Sequence, residues 1–276
     1  MNFRKLRAVL LDLDGVVYLE HKLIPGAAEA IRTMRARGLK VGFVTNNATA
    51  TRATFGARLT AMGIPCATAE VMNTSYAAAR YLGGRLARGT RVFVFGKLGL
   101  APELRAAGLS PVTVHTREEF RRYRAARPYP NTVVASFDTD LTWWELCAGH
   151  VALERGARFI ACNFDPTYPV HGGTLPGTGS LVKQLEVSSR RTPFLVGKPA
   201  PLMFRMLLQE WGMRPADALV VGDRLPIDIA GGRAAGAATA LVLTGIDQRR
   251  DIPRSRWKPH LVARDLPALV RLLPTP

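Results

Sequence analysis

The sequence predicts an α/β protein: a Rossmann-like parallel sheet with a second, smaller α/β module inserted into it. Three observations carry this. Short apolar runs such as residues 8–11, 40–45 and 218–222 show no polar alternation, as strands buried on both faces require. These runs alternate along the chain with helix-length segments, the order expected of a parallel sheet. Polar and acidic residues follow the strands directly, where ligands bind in open parallel sheets.

Each element follows in order. Residues 8–13 read as the first strand, and 27–37 as a helix halted by Gly38. Residues 40–45 form the second strand, followed by helical stretches at 52–62 and 74–82. In the middle of the chain, 91–95, 132–137 and 158–163 have strand character. Between the last two, Thr142-Trp143-Trp144-Glu145 fits a capping box. Thr142 would accept from the Glu145 amide, Glu145 would reach back, and the helix would run to about Gly156. Trp143 and Trp144 are read as packing residues. In the last third, 201–211 is helical and 218–223 is a strand ending in a carboxylate. A short helix at 229–235 and a strand at 239–243 follow. The expected organisation is a discontinuous core, 1–77 with 186–276, and an inserted α/β module, 78–185.

The 276 residues carry 38 Lys and Arg against 21 Asp and Glu, a net charge of +17. This excess is spread evenly, at +5, +6 and +6 over 1–77, 78–185 and 186–276. Arg accounts for 31 of the basic residues, and the densest cluster, 121–127, is short. No reader motif accompanies the charge, so no specific nucleic-acid partner is expected. Cys66, Cys147 and Cys162 form no disulfide or zinc spacing, which fits a reducing compartment. The apolar run at 8–11 is too short for a signal-peptide core or a membrane span, so the expected location is the cytoplasm, without a membrane partner.

The chemistry concentrates at four places: Asp12-Leu-Asp14-Gly15, Thr45-Asn46-Asn47, Lys198 in Gly-Lys-Pro, and Gly222-Asp223 with Asp228 five residues on. On an extended strand, Asp12 and Asp14 would point to one side. Converging carboxylates repel unless a divalent cation neutralises them, and Mg²⁺ suits a few carboxylates together with phosphate oxygens. Thr45, Asn46, Asn47 and Lys198 supply donors and a fixed positive charge for phosphoryl oxygens. Singly, each of these is an ordinary turn, cap or surface residue. Together and in order, they point to a phosphate site.

These motifs closely resemble the haloacid dehalogenase-like (HAD) superfamily of aspartate-dependent phosphatases. The similarity is to the branch with NagD, 4-nitrophenylphosphatase, phosphoglycolate phosphatase and pyridoxal phosphatase. It runs from Leu10 to about Leu273 through DLDGVVY (12–18), VTNNAT (44–49), GKPAP (197–201), VGDRLPIDI (221–229) and LVLTG (241–245). Asn163-Phe-Asp165 and LPGTGSL (175–181) resemble the branch's second-domain signature. The resemblance implies a HAD core with a large α/β (C2-type) cap that closes over the site, and cap-mediated homodimers. It implies that Asp12 is the nucleophile forming an aspartyl-phosphate and that Asp14 is the general acid/base. Mg²⁺ would be held by the Asp12 side chain, the Asp14 carbonyl and the Asp223 side chain. Thr45, Asn46, Asn47 and Lys198 would surround the phosphoryl group, and Asp228 would orient Lys198 or metal-bound water.

The insert position agrees with a large cap. Asp14 to Thr45 leaves room for a turn, a helix and a strand, so the cap lies between Thr45 and Lys198. Pro226 and Ile227 depart from the branch's usual acidic residue and Thr. Cys162 stands where Thr is common, and is read as core. The loop 165–180 should select substrate, with Tyr168 resembling the family's specificity position; His171 is either a substrate contact or, the more favoured reading, a solvated loop histidine. The expected activity is Mg²⁺-dependent hydrolysis of small phosphorylated metabolites. Two rivals stay open: a phosphoprotein phosphatase or phosphomutase on the same site, and a non-catalytic basic binding protein on this fold.

Overall fold

The computed structural model describes residues 3–19, 22–96, 99–170 and 173–274. Numbered in chain order, the strands of its two main sheets are β1 (Ala8–Leu11), β2 (Lys40–Thr45), β3 (Val71–Asn73), β4 (Arg91–Phe95), β5 (Ser110–Val112), β6 (Thr132–Ala135), β7 (Arg158–Ala161), β8 (Phe194–Leu195), β9 (Ala218–Gly222), β10 (Ala238–Val242) and β11 (Leu261–Ala263). The chain forms two compact units. One comprises the residues up to Thr45, Arg52–Met72, and those from Lys198 onward. The other comprises Asn46–Thr51 and Asn73–Gly197.

The first unit's sheet has the order β11-β10-β9-β1-β2-β3. Its pairings from β11 through β2 are parallel. Every residue of β1, β9 and β10 is buried, which is why these strands carry a single polar side chain, that of Thr239 in β10. The helix Ala27–Ala36 buries Ala27, Ala30, Ile31 and Met34, the stripe that helical periodicity requires. Gly38, at φ +79°, then permits the left-handed exit. The helix Leu202–Glu210 buries Met203, Phe204, Leu207 and Leu208.

The second unit has its own five-stranded sheet, β8-β7-β6-β4-β5, with all pairings parallel. Its core includes Phe93, Phe95, Val133, Phe159, Leu153 and Leu185. It runs to Gly197 because β8 pairs with Ile160 and Ala161 of β7. It begins at Asn73, so the helix Thr74–Gly83 is included whole. The sequence-based limits of 78 and 185 thus fall inside this unit.

The expected capping box at Thr142 is only half made. Thr142 Oγ1 accepts from the Glu145 amide at 3.2 Å, but Glu145 does not reach back. Its side chain is fully buried, accepts from Gly96 N at 2.9 Å, and lies 3.3 Å from His115 Nδ1. The uncovered amide at the end of β4 draws the carboxylate inward. A complete box forms instead at Thr116 and Glu119, starting the helix Arg117–Ala125. Of the two tryptophans read as packing residues, Trp144 packs in the core beside Phe120, whereas Trp143 is 68% exposed. Among the described residues, no helix is long and apolar enough to cross a membrane.

Candidate active site

Asp12 follows the last residue of β1, and its amide still donates to Val221 O at 2.9 Å, so the sheet fixes its backbone. Asp223 follows β9, the neighbouring strand. Lys198 precedes the helix Leu202–Glu210, and Asp228 lies in the single wide helical turn Leu225–Ile229. These four side chains meet. Lys198 Nζ is 2.7 Å from Asp12 Oδ1 and 2.7 Å from Asp228 Oδ1. Lys198 and Asp228 are almost wholly buried, and Asp12 retains 11% exposure. The other oxygen of Asp228 accepts from the Arg224 amide at 3.2 Å. One carboxylate oxygen each of Asp12, Asp223 and Asp228 lie within 4.8 Å of one another.

Burial and crowding set the charge balance. Burial pushes the Asp12 carboxyl well above its usual range. The Lys198 ammonium pulls it down, and Asp228 and Asp223 push it further up. Asp223 is pushed up to about 7, by burial first and then by Asp228. Burial works against the charge on Lys198, but Asp12 and Asp228 outweigh it and hold the ammonium protonated. One cation therefore faces three carboxylates.

That deficit, with one further feature, suits a divalent cation. Asp223 Oδ2 accepts from Ile246 N at 2.8 Å, whereas Asp223 Oδ1 is buried with no hydrogen-bond partner. A buried carboxylate oxygen left without a donor is costly, and a metal ion is the partner this donor set fits. Two glycines make room for the carboxylate. A Cβ on Gly245 would lie 2.0 Å from Asp223 Oδ2, and one on Gly15, itself at φ +79°, would lie 2.5 Å away.

The other expected residues are placed as follows. Asp14 is exposed and its side chain is outside the carboxylate cluster. The strand ends at Leu11 and Gly15 turns the chain, so strand alternation does not govern Asp14. Thr45 ends β2 and is buried. Asn46 and Asn47 belong to the second unit. There Asn46 Nδ2 donates to Asp165 Oδ2 at 3.1 Å, and Asn47 Oδ1 accepts from both the amide and the hydroxyl of Thr49. Tyr168, on the strand Thr167–Val170 that pairs antiparallel with Gly173–Pro176 in the same unit, packs against Phe137 with tilted rings, centroids 4.4 Å apart. His171 lies outside the described residues. Pro226 is exposed and Ile227 half-buried, while Asp228 keeps its bond to Lys198. Cys162 is buried in the second unit, and burial pushes its thiol up to about 12.

Sequence reasoning gave no role to the loop after β10. Thr244 Oγ1 donates to Gly15 O at 2.6 Å, Asp247 N donates to Asp223 O, and Asp247 Oδ2 accepts from Leu225 N. The loop thereby ties the Asp12 turn to the Asp223 turn. The LVLTG motif was the available signal, but spacing alone does not show what it grips.

The chain is similar to known proteins of one family. Residues 9–110 match the haloacid dehalogenase-like hydrolase family model, and 195–269 match a HAD-hydrolase-like one. A D-glycerol 3-phosphate phosphatase of Mycobacterium tuberculosis is 35% identical over 95% of this chain and 70% of its own length. A glycerol phosphate phosphatase from the same organism, solved in complex with magnesium, superposes with a TM-score of 0.87 at 34% identity. That match covers 98% of this chain and 80% of the other. The p-nitrophenyl phosphatase from Archaeoglobus fulgidus gives 0.87 at 32% identity, covering 97% and 99%. NagD from E. coli K-12 gives 0.83 at 28%, covering 95% and 97%. With Lys198 and Asp228 gathered beside the carboxylates that follow β1 and β9, the chain belongs to the haloacid dehalogenase-like hydrolases, in their NagD-like branch of phosphatases.

Proposed function

We propose that this chain hydrolyses small phosphate monoesters in two steps through a phosphorylated Asp12. The observation that carries the reading is Lys198, buried and bonded at 2.7 Å to both Asp12 and Asp228. The ammonium fixes the orientation of the Asp12 carboxylate and offers positive charge beside it. An Asp12 oxygen attacks phosphorus as the bond to the ester oxygen breaks, and Asp14 gives that oxygen its proton. Asp14 then takes a proton from water. The resulting hydroxide attacks the phosphorus of the aspartyl-phosphate, releasing inorganic phosphate and restoring Asp12.

Asp12 and Asp223 would hold Mg²⁺ through their side chains and Asp14 through its carbonyl. The ion, when bound, offsets the negative charge of the phosphate ester facing an anionic nucleophile. Asp228 holds Lys198 in place. Thr45, Asn46 and Asn47 bind phosphoryl oxygens, and Tyr168 contributes to substrate choice; these assignments rest on the family resemblance. Glycerol phosphate, the substrate class in the names of several relatives, is the first compound to test.

The test is release of 4-nitrophenol from 4-nitrophenyl phosphate, with Mg²⁺ and with EDTA, by wild type and Asp12→Asn. Loss of at least ~10³-fold in the variant and dependence on the metal are expected. Undiminished turnover in Asp12→Asn, or indifference to EDTA, refutes the proposal. A screen of polyol phosphates and phosphosugars then assigns the substrate.

A further inference from the structure

Within the second unit, the segment Arg127–Asn131 and the turn at Arg155 and Gly156 enclose an open concavity of about 510 Å³. This lies in the size range of small-ligand sites, roughly 300–1,000 Å³. Among the lining residues is Tyr129, whose hydroxyl donates to Arg124 O at 2.7 Å and so fixes the ring. Two guanidinium groups pack over that ring, Arg127 at 4.2 Å and Arg155 at 4.7 Å from its centroid. Arg127 is held further by bonds from Nη1 to the carbonyls of Arg124 and Ala126. A third guanidinium, that of Arg91, donates to Pro128 O at 3.1 Å.

None of these three arginines has a carboxylate partner among the described residues. The adjacent Glu154 is turned to His150 at 3.4 Å. The two arginines that line the concavity are held over one ring, Arg127 also by carbonyls, with no acid paired to either among the described residues. Guanidinium presents a planar fork of donors that matches phosphate oxygens in pairs, and stacking reduces the ordering cost of binding.

We propose that this concavity binds a small oligophosphate, an anion of three or more negative charges, at a site distinct from the Asp12 cluster. A single phosphate would engage one guanidinium fork, whereas a short phosphate chain can reach both Arg127 and Arg155, the two arginines that line the concavity. This inference does not rest on the proposed hydrolysis.

The probe is inorganic tripolyphosphate, with ATP run beside it to separate a free phosphate chain from a nucleotide's. Binding to the full chain is measured by calorimetry in EDTA. Saturable binding is expected, with Kd rising at least about tenfold in Arg127→Ser/Arg155→Ser. The same charge change at the exposed Arg249 and Arg250 should alter Kd by no more than about twofold. Asp12→Asn should leave binding unchanged. Equal weakening by the two double variants would show attraction by the overall +17 charge and overturn the proposal. So would loss of binding in Asp12→Asn, or orthophosphate binding as tightly as tripolyphosphate.

Discussion

Replacing Lys198 by Met tests the electrostatics of the carboxylate cluster more directly than any activity assay. The side chain is 2% exposed and bridges Asp12 and Asp228 at 2.7 Å each. Methionine fills similar space without charge, so the loss is chiefly electrostatic. Removing one partner of a buried ion pair costs about 3–5 kcal/mol, because the remaining charge stays buried and unmatched. Here two carboxylates lose their partner, and Asp223 lies within 4.8 Å of both. The upper part of that range is therefore expected at pH 8 in EDTA. At about 2–4 °C per kcal/mol for a domain of this size, the first unit's melting temperature should fall by roughly 8–16 °C. Adding Asp228→Asn removes one stranded charge, so the double variant should recover about half of the loss. Lowering the pH to 5 should recover part as well, since burial already pushes the Asp12 carboxyl up and protonation neutralises it. Scanning calorimetry of wild type, both single variants and the double variant measures the coupling. If the single losses simply add, the Lys198 bridge is not what balances the cluster, and the reasoning fails.

Three further outcomes follow from the same geometry. Asp223 is pushed up from 3.8 to about 7, so between those values the folded metal-free protein binds more protons than the unfolded chain. Its contribution to stability is full below about pH 4 and is lost as pH rises through 7. The melting temperature of Asp223→Asn in EDTA should therefore gain on wild type across that window, and a constant difference refutes the assignment. Gly245→Ala would set a Cβ 2.0 Å from Asp223 Oδ2. The carboxylate must move, and stabilisation by Mg²⁺ in a thermal melt should shrink with little change in EDTA; an unaltered Mg²⁺ response argues against Asp223 as a ligand. Burial pushes the Cys162 thiol up to about 12, so a thiol reagent should modify it at pH 8 only as fast as the protein unfolds. Rapid labelling of Cys162 in the native protein would contradict its buried placement.

The central strands of the first unit's sheet were legible because they are buried on both faces and so are almost wholly apolar. The second strand is found at 40–45 in both readings, and β9 ends one residue before the carboxylate that marks it. Edge strands were not legible. β5 carries a proline and is partly exposed, β8 has two residues, and β11 is half-buried, so none shows the central strands' pattern. Asp12, Lys198, Asp223 and Asp228 were all named from sequence, because parallel strands deliver their carboxyl ends to one edge. Which of them touch was not readable. D-x-D spacing suggested that Asp12 and Asp14 act together, whereas the clustered carboxylates are Asp12, Asp223 and Asp228.

The same limit explains the Thr142 helix start. The pattern T-x-x-E occurs twice, at Thr116 and at Thr142, and only the first closes into a reciprocal box. Local sequence is alike at the two starts; what differs is the competitor. At Thr116, the exposed Glu119 folds back onto its own helix, accepting from the amides of His115 and Thr116. At Thr142, the Gly96 amide at the end of β4 is buried and requires an acceptor. Leaving it unmet costs about 1–3 kcal/mol, more than a solvated capping contact of about 1 kcal/mol returns. Glu145 therefore serves the sheet and leaves its helix half capped. Glu145→Gln keeps an acceptor for Gly96 and should be mild, whereas Glu145→Ala should destabilise the second unit by a further 1–3 kcal/mol or so. Equal losses in urea unfolding would mean that the Gly96 bond does not decide where this side chain goes.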